Sequence, residues 1–146
     1  MTHSASYRTG RQILGAVGSG DDVVRALETV SETHRIISGT LVARGSLTAA
    51  AVGVYDPSQK VYVTRIEGRA LELIVAHGTI GQRNRRPFVH MHGLMTDGAN
   101  HCTGGRLFHG TIAFSIDYVV QELTGPPVEW RYDAATGMQG VLFGHQ

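Results

Sequence analysis

From Val23 to Val30 the apolar positions recur at helical spacing, and beyond Thr33 the period changes from 3.6 towards 2. Gly18-Ser19-Gly20 reads as a loop and Asp21-Asp22 as a helix start, since a carboxylate there accepts from the free N–H groups of the first turn. Val23, Leu27 and Val30 follow one face while Arg25, Glu28 and Glu32 take the other, which predicts one helix over Asp21–Thr33. Arg8–Ala16 before it reads as a strand. After it, His34–Val42 and Leu47–Tyr55 are β-branched or apolar runs separated by Arg44-Gly45-Ser46. Asp56-Pro57-Ser58-Gln59-Lys60 is a turn by composition and joins Leu47–Tyr55 to Val61–Ile66 as a hairpin. Glu67-Gly68 interrupts, and a further strand starts at Leu71 and runs to Ala76. Gly78–Arg86 is expected to be a loop, with Pro87 opening the strand Phe88–Leu94. Thr96–Asn100 is a second turn. The run Arg106–Leu123 suits helix or strand, and Leu107–Ile116 is assigned as strand for its Phe108, Thr111, Ile112 and Phe114. Gly125-Pro126-Pro127 stops it, and Val128–Tyr132 is the last short strand before a turn at Asp133–Gly137. This pattern predicts an α/β arrangement of the α+β type, a mixed, largely antiparallel sheet packed against one main helix.

With 146 residues the chain is the size of one ordinary domain, residues 1–146. Its 13 basic and 12 acidic residues leave +1, too little for a long-range field that draws in nucleic acid or anionic membrane. Twelve of the 13 basic residues are arginine. The lone cysteine, Cys102, excludes an intrachain disulfide and fits a reducing compartment. No apolar run approaches the ~20 residues that cross a bilayer, and the first residues lack a signal's apolar segment. A cytoplasmic protein with no membrane partner is expected.

Five of the eight histidines, His77, His90, His92, His101 and His109, fall between residues 77 and 109. Within them His90-Met91-His92 is the sharp feature, because strand residues two apart share a face about 7 Å apart. Both imidazoles then reach one ion or ligand. Zinc needs at least one more protein ligand, for which His101, His109 and Cys102 are the candidates. If Phe88–Leu94 pairs with Arg106–Ile116 about a hairpin centred near Ala99, Arg106 stands opposite His92 and Phe108 opposite His90, while His109 points away; a one-residue slip reverses this. A guanidinium has no lone pair to give a metal. His90, His92 and Arg106 therefore suit a carboxylate or phosphate better than a cation. Arg83, Arg85 and Arg86 put three positive charges into four residues, a candidate DNA contact.

Pro87-Phe88-Val89-His90-Met91-His92, then Thr96-Asp97-Gly98 and Gly104-Gly105, resembles the central motif of the plants-and-prokaryotes-conserved (PPC) domain. Gly20-Asp21, Gly53-Val54-Tyr55-Asp56, Glu72-Leu73, Gly78-Thr79-Ile80 and Arg131-Tyr132-Asp133 follow the same family order, so the resemblance runs from about Arg8 to Phe143. It implies a homotrimer with a mixed sheet, a DNA-associated or regulatory binding role in prokaryotic members, and in some members a metal held by the His-x-His pair plus a histidine directly after Gly-Gly. Here that last position is Arg106. No Arg-Gly-Arg-Pro hook for the minor groove is present. The expected function is an oligomeric binding protein. The alternatives are a zinc-dependent lyase or hydrolase acting on a small oxo-acid or ester, with Glu72 as proton carrier, and a metal-free anion-binding protein using His90, His92 and Arg106.

Overall fold

The computed structural model describes residues 3–143. Its elements in chain order are β1 (Arg8–Val17), α1 (Val23–Thr33), β2 (Gly39–Asp56), β3 (Val61–Glu67), β4 (Leu71–Arg83), β5 (Arg86–Thr96), β6 (Cys102–Leu107), β7 (Ile112–Thr124), β8 (Val128–Asp133) and β9 (Met138–Phe143). None of its helices is long and apolar enough to cross a membrane.

Helix α1 begins where the sequence places its cap. The Asp22 carboxylate accepts from the Arg25 N–H at 3.0 Å and, with its other oxygen, from the Gly110 N–H at 2.6 Å, so one side chain both caps the helix and ties it to the turn before β7. Val23, Val24, Leu27 and Ser31 form the buried face. The Ser31 hydroxyl is satisfied by donating to the Leu27 carbonyl at 2.8 Å. Arg35 then adopts a left-handed conformation (φ 56°) and turns the chain toward β2.

The strands build one sheet in the order β1-β7-β2-β6-β5-β4-β8-β9, with β3 on β2. All pairings are antiparallel except a short parallel contact of β4 with β8 at Gln82 and Glu129. The 18-residue β2 organises the rest. One of its edges carries β7 and then β6, the other β4 and then β3. Because β4 pairs with β5 and β5 with β6, the sheet closes on itself through β2, β4, β5 and β6. Leu41, Leu47, Val52, Leu73, Met91, Met95 and Leu107 fill the enclosed side together with the face of α1. Each such aliphatic side chain contributes roughly 1.5–3 kcal/mol by leaving water.

The expected α/β arrangement is corrected by this topology. Strands take 64% of the described residues and helix 8%, so the molecule is a large mixed sheet with one short helix on it. Most of the difference lies in glycine-bearing segments. Gly78–Arg86, expected as a loop, is the second half of β4 down to Arg83. Its glycines answer steric needs of neighbouring strands rather than turning the chain: a Cβ on Gly78 would lie 2.5 Å from Met91 Cβ, and one on Gly81 would lie 2.9 Å from the Trp130 ring. The actual turn is the two-residue Asn84-Arg85, with φ of 53° and 63°, the twist a tight hairpin requires. Arg44-Gly45-Ser46, expected as a break, is a bulge inside β2, where Gly45 (φ 134°) sits against the Ser115 carbonyl. The strand expected over Leu107–Ile116 is two strands parted by residues 108–111, and β9 was not foreseen.

Truncating the cap tests how α1 is held. Asp22→Ala is expected to lower unfolding free energy by about 2 kcal/mol in urea titrations, since it frees two N–H groups, and Asp22→Asn by less.

Candidate functional site

Alternation along β5 buries Val89, Met91 and Met95 and turns His90 and His92 to the outer face of the sheet. Their ring centroids are 5.4 Å apart with the planes at 41°. Strand register brings two more groups beside them. Arg106 of β6 pairs directly with His92, as the hairpin arithmetic expects, and His77 of β4 pairs with His92 from the other side. His77, His92 and Arg106 thus form a row across three strands. The sequence places His77 in the histidine cluster, but a strand read to end at Ala76 gives it no register beside His92. Pairing of β5 with β6 stops at Met91 and Leu107, so Phe108 does not oppose His90; its N–H goes to the Ala51 carbonyl at 2.9 Å.

Arg106 is only 7% exposed. Its guanidinium carbon lies 4.5 Å from the Phe108 ring centroid, 5.0 Å from Tyr62 and 5.9 Å from Phe88. Tyr62 reaches it from β3, and Phe88 packs with Val128 and Trp130 of β8 in a small second core. Trp130 also caps His90, edge to face at 4.5 Å. Two hairpins, β2–β3 and β8–β9, therefore wall the site on opposite sides. Their tips meet where the Tyr55 hydroxyl donates to the Thr136 carbonyl.

Two polar atoms inside this enclosure lack partners. His90 Nε2 and Arg106 Nε are both buried without a hydrogen-bond partner, and no carboxylate among the described residues forms an ion pair with Arg106. Burial, the Arg106 charge and His92 push the His90 imidazole down to about 4. Burial first and Arg106 second lower His92 as well. Burial works against the Arg106 charge too, partly offset by the Tyr62 oxygen, but a guanidinium stays protonated. At neutral pH the site is one fixed cation beside two neutral imidazoles, each of which has an N–H to donate.

The remaining candidates lie elsewhere. Cys102 and Glu72 flank Thr96 on either side, roughly 13 Å along β5 from His92. His101 sits in the turn beyond, 80% exposed and 3.5 Å from Asp97. His109 is 3.2 Å from Glu28 of α1. A zinc ion needs three protein ligands converging on one point. No group of three histidine, cysteine or carboxylate side chains does so among the described residues, and the place beside His92 is held by a group that cannot ligate. These residues do not fit a metal centre. Arg83, Arg85 and Arg86 occupy the tip of the β4–β5 hairpin, all three exposed.

The model of the Plants and Prokaryotes Conserved (PCC) domain matches residues 4–124. The chain belongs to this family. The match ends before β8, so Trp130 and the β8–β9 hairpin lie outside the matched span. Among solved structures the PPC chain is similar to a metal-containing protein from Archaeoglobus fulgidus, with 29% identity and a TM-score of 0.90 over 97% of this chain and 99% of that one. It shares the fold of a plant- and prokaryote-conserved protein from Pyrococcus horikoshii, at 21% identity and a TM-score of 0.89 over 99% of each chain. The same fold occurs in a protein from Ralstonia eutropha named for a supposed DNA-binding role, at 24% identity and a TM-score of 0.79 over 90% of each chain. No curated protein matches the sequence.

The depressed His90 value ties stability to pH. In the unfolded chain this imidazole takes its proton near the ordinary 6.5, and in the folded protein near 4. Between those values the unfolded state binds more protons, so stability is complete above about pH 6.5 and falls as pH drops toward 4. Discounted for partial solvent access, the loss is about 2 kcal/mol. His90→Gln should flatten this slope in urea titrations from pH 7 to 4; an unchanged slope would remove the imidazole as its source.

Proposed function

We propose that this PPC protein is a binding module rather than an enzyme, and that it holds a small anion, carboxylate or phosphate, between Arg106, His90 and His92. The observation that carries this reading is Arg106 itself. A guanidinium buried among aromatic rings, with Nε unpaired and no carboxylate bonded to it, leaves a charge for an anion to complete. The two imidazoles supply donors from one side, and Trp130 and Tyr62 limit access of water, which strengthens each contact. Among the described residues the enclosure holds no thiol or carboxylate, since Cys102 and Glu72 are four strand positions away, and the neutral imidazoles of His90 and His92 serve in this reading as donors to the anion.

The module is proposed to work as an oligomer, the homotrimer of the family resemblance, with the pocket at a subunit boundary. Strand register supports this. Leu14, Val119 and Val42 form the other half of the same cross-sheet row as His77, His92 and Arg106, and they are 73%, 38% and 44% exposed. Apolar side chains aligned in this way favour cover by another subunit.

Calorimetric titration with inorganic phosphate at pH 7 tests the pocket. Binding is expected, Arg106→Gln should weaken it at least tenfold, roughly 1.4 kcal/mol, and His92→Ala by a smaller factor. Absence of heat with phosphate, acetate and citrate would overturn the reading. Arg106→His should instead gain affinity for zinc, because it supplies the missing lone pair beside His92.

A second reading, association with duplex DNA, is favoured by the hairpin tip. Arg83, Arg85 and Arg86 lie exposed at and beside a two-residue turn, and an oligomer would repeat them. Phosphate contacts of this kind give a log–log salt slope of about −0.9 per contact. The expected slope for this tip is near −3 per subunit engaged, lost on replacing the three arginines by serine, and a flat response near zero affinity removes the reading.

A further inference from the structure

We propose that the anion pocket is one half of a two-headed site whose second cation is Arg83, so that the ligand is a small molecule carrying two anionic groups on a short linker, such as a phosphorylated carboxylate or a bisphosphate. This deepens the anion-binding reading and rests on it. Phe88 is the shared element. The Arg83 guanidinium carbon lies 4.1 Å from its ring centroid and that of Arg106 lies 5.9 Å from the same centroid. One ring therefore holds both cations within the reach of a single metabolite. Stacking fixes the plane of the Arg83 guanidinium while its N–H groups remain available, which suits bidentate capture of a carboxylate or phosphate. The Arg83 charge already acts on Arg106, so a doubly charged ligand would relieve repulsion between the two as well as pairing each. Neither Arg83 nor Arg86 forms an ion pair with a carboxylate among the described residues.

Space for the second head is present. A cleft of about 400 Å³ opens beside Phe88 and is lined by Arg83, Arg86, His109 and Glu28. Glu28 sets its limit. This carboxylate engages His109 on the far wall, so a longer polyanion continuing past Arg86 would meet a like charge. The arrangement selects for two charged groups at a fixed spacing and against an extended phosphate chain.

The test compares inorganic phosphate, 3-phosphoglycerate and fructose 1,6-bisphosphate by calorimetry on the full chain. For the wild type, at least one two-headed probe should bind tenfold or more tighter than phosphate. Arg83→Gln should erase that advantage, and Arg106→Gln should weaken all three. Lys60→Gln, an equal charge change on the β2–β3 turn, should alter none, and urea midpoints would verify that each variant folds. If phosphate binds but the two-headed probes bind no tighter, or Arg83→Gln changes nothing, the second head is wrong and the single-anion pocket stands. If no probe binds, both readings fall.

Discussion

Burying a guanidinium costs several kcal/mol unless its neighbours replace the water it loses, and at Arg106 three aromatic rings do so only in part. Each ring offers the face of a quadrupole, and the Tyr62 oxygen adds some compensation, but Nε is left without a partner. The surrounding structure is arranged to hold this incomplete solvation in place. Tyr62 comes from one hairpin, Phe88 from the strand beside it, and Trp130 from a second hairpin that clamps both Phe88 and His90. A polar core with that much aromatic support and an unpaired donor is costly as architecture alone. Selection for stability alone would favour an apolar residue at position 106, which makes the retained charge an argument for a ligand.

The closed path of strands explains how so small a chain fixes these groups. Pairing of β6 with β5 on one side and β2 on the other leaves Arg106 little freedom: Gly53 lies across from it on β2 and His92 on β5. A Cβ on Gly53 would come within 2.5 Å of the Phe108 ring, so the glycine makes room for one wall of the aromatic cage. Positioning here comes from backbone ladders, which hold a side chain more tightly than loops do, and the loops contribute mainly cover.

Much of the candidate site's register is legible in the sequence. The alternation around His90-Met91-His92 fixes a shared face, and counting outward from the Thr96–Asn100 turn puts Arg106 across from His92, as the structure has it. What escaped the sequence was the environment. His77 and Trp130 join the histidines through pairings of β4, whose glycines read as loop because a glycine that avoids a neighbour's side chain looks the same in sequence as one that bends the chain. Helical periodicity is visible in eleven residues, whereas β2, buried on both faces in places and bulged at Gly45, shows no simple alternation and was split in two.

The exchange of a histidine for Arg106, set against the three-histidine pattern of the family resemblance, changes what kind of chemistry the enclosure supports. Three imidazoles present lone pairs and call for a cation, whose charge in turn attracts an anionic ligand. A guanidinium in the third place delivers positive charge to the same spot from the chain itself, as a permanent part of the fold, with hydrogen-bond directions set by its planar fork. The neighbouring imidazoles respond: the charge and the burial together hold His90 and His92 neutral, so they act as donors rather than as further cations. In the proposed reading an anion is held without a metal, because the positive charge belongs to the chain itself. The guanidinium in that place is the ground on which binding of an anion is proposed.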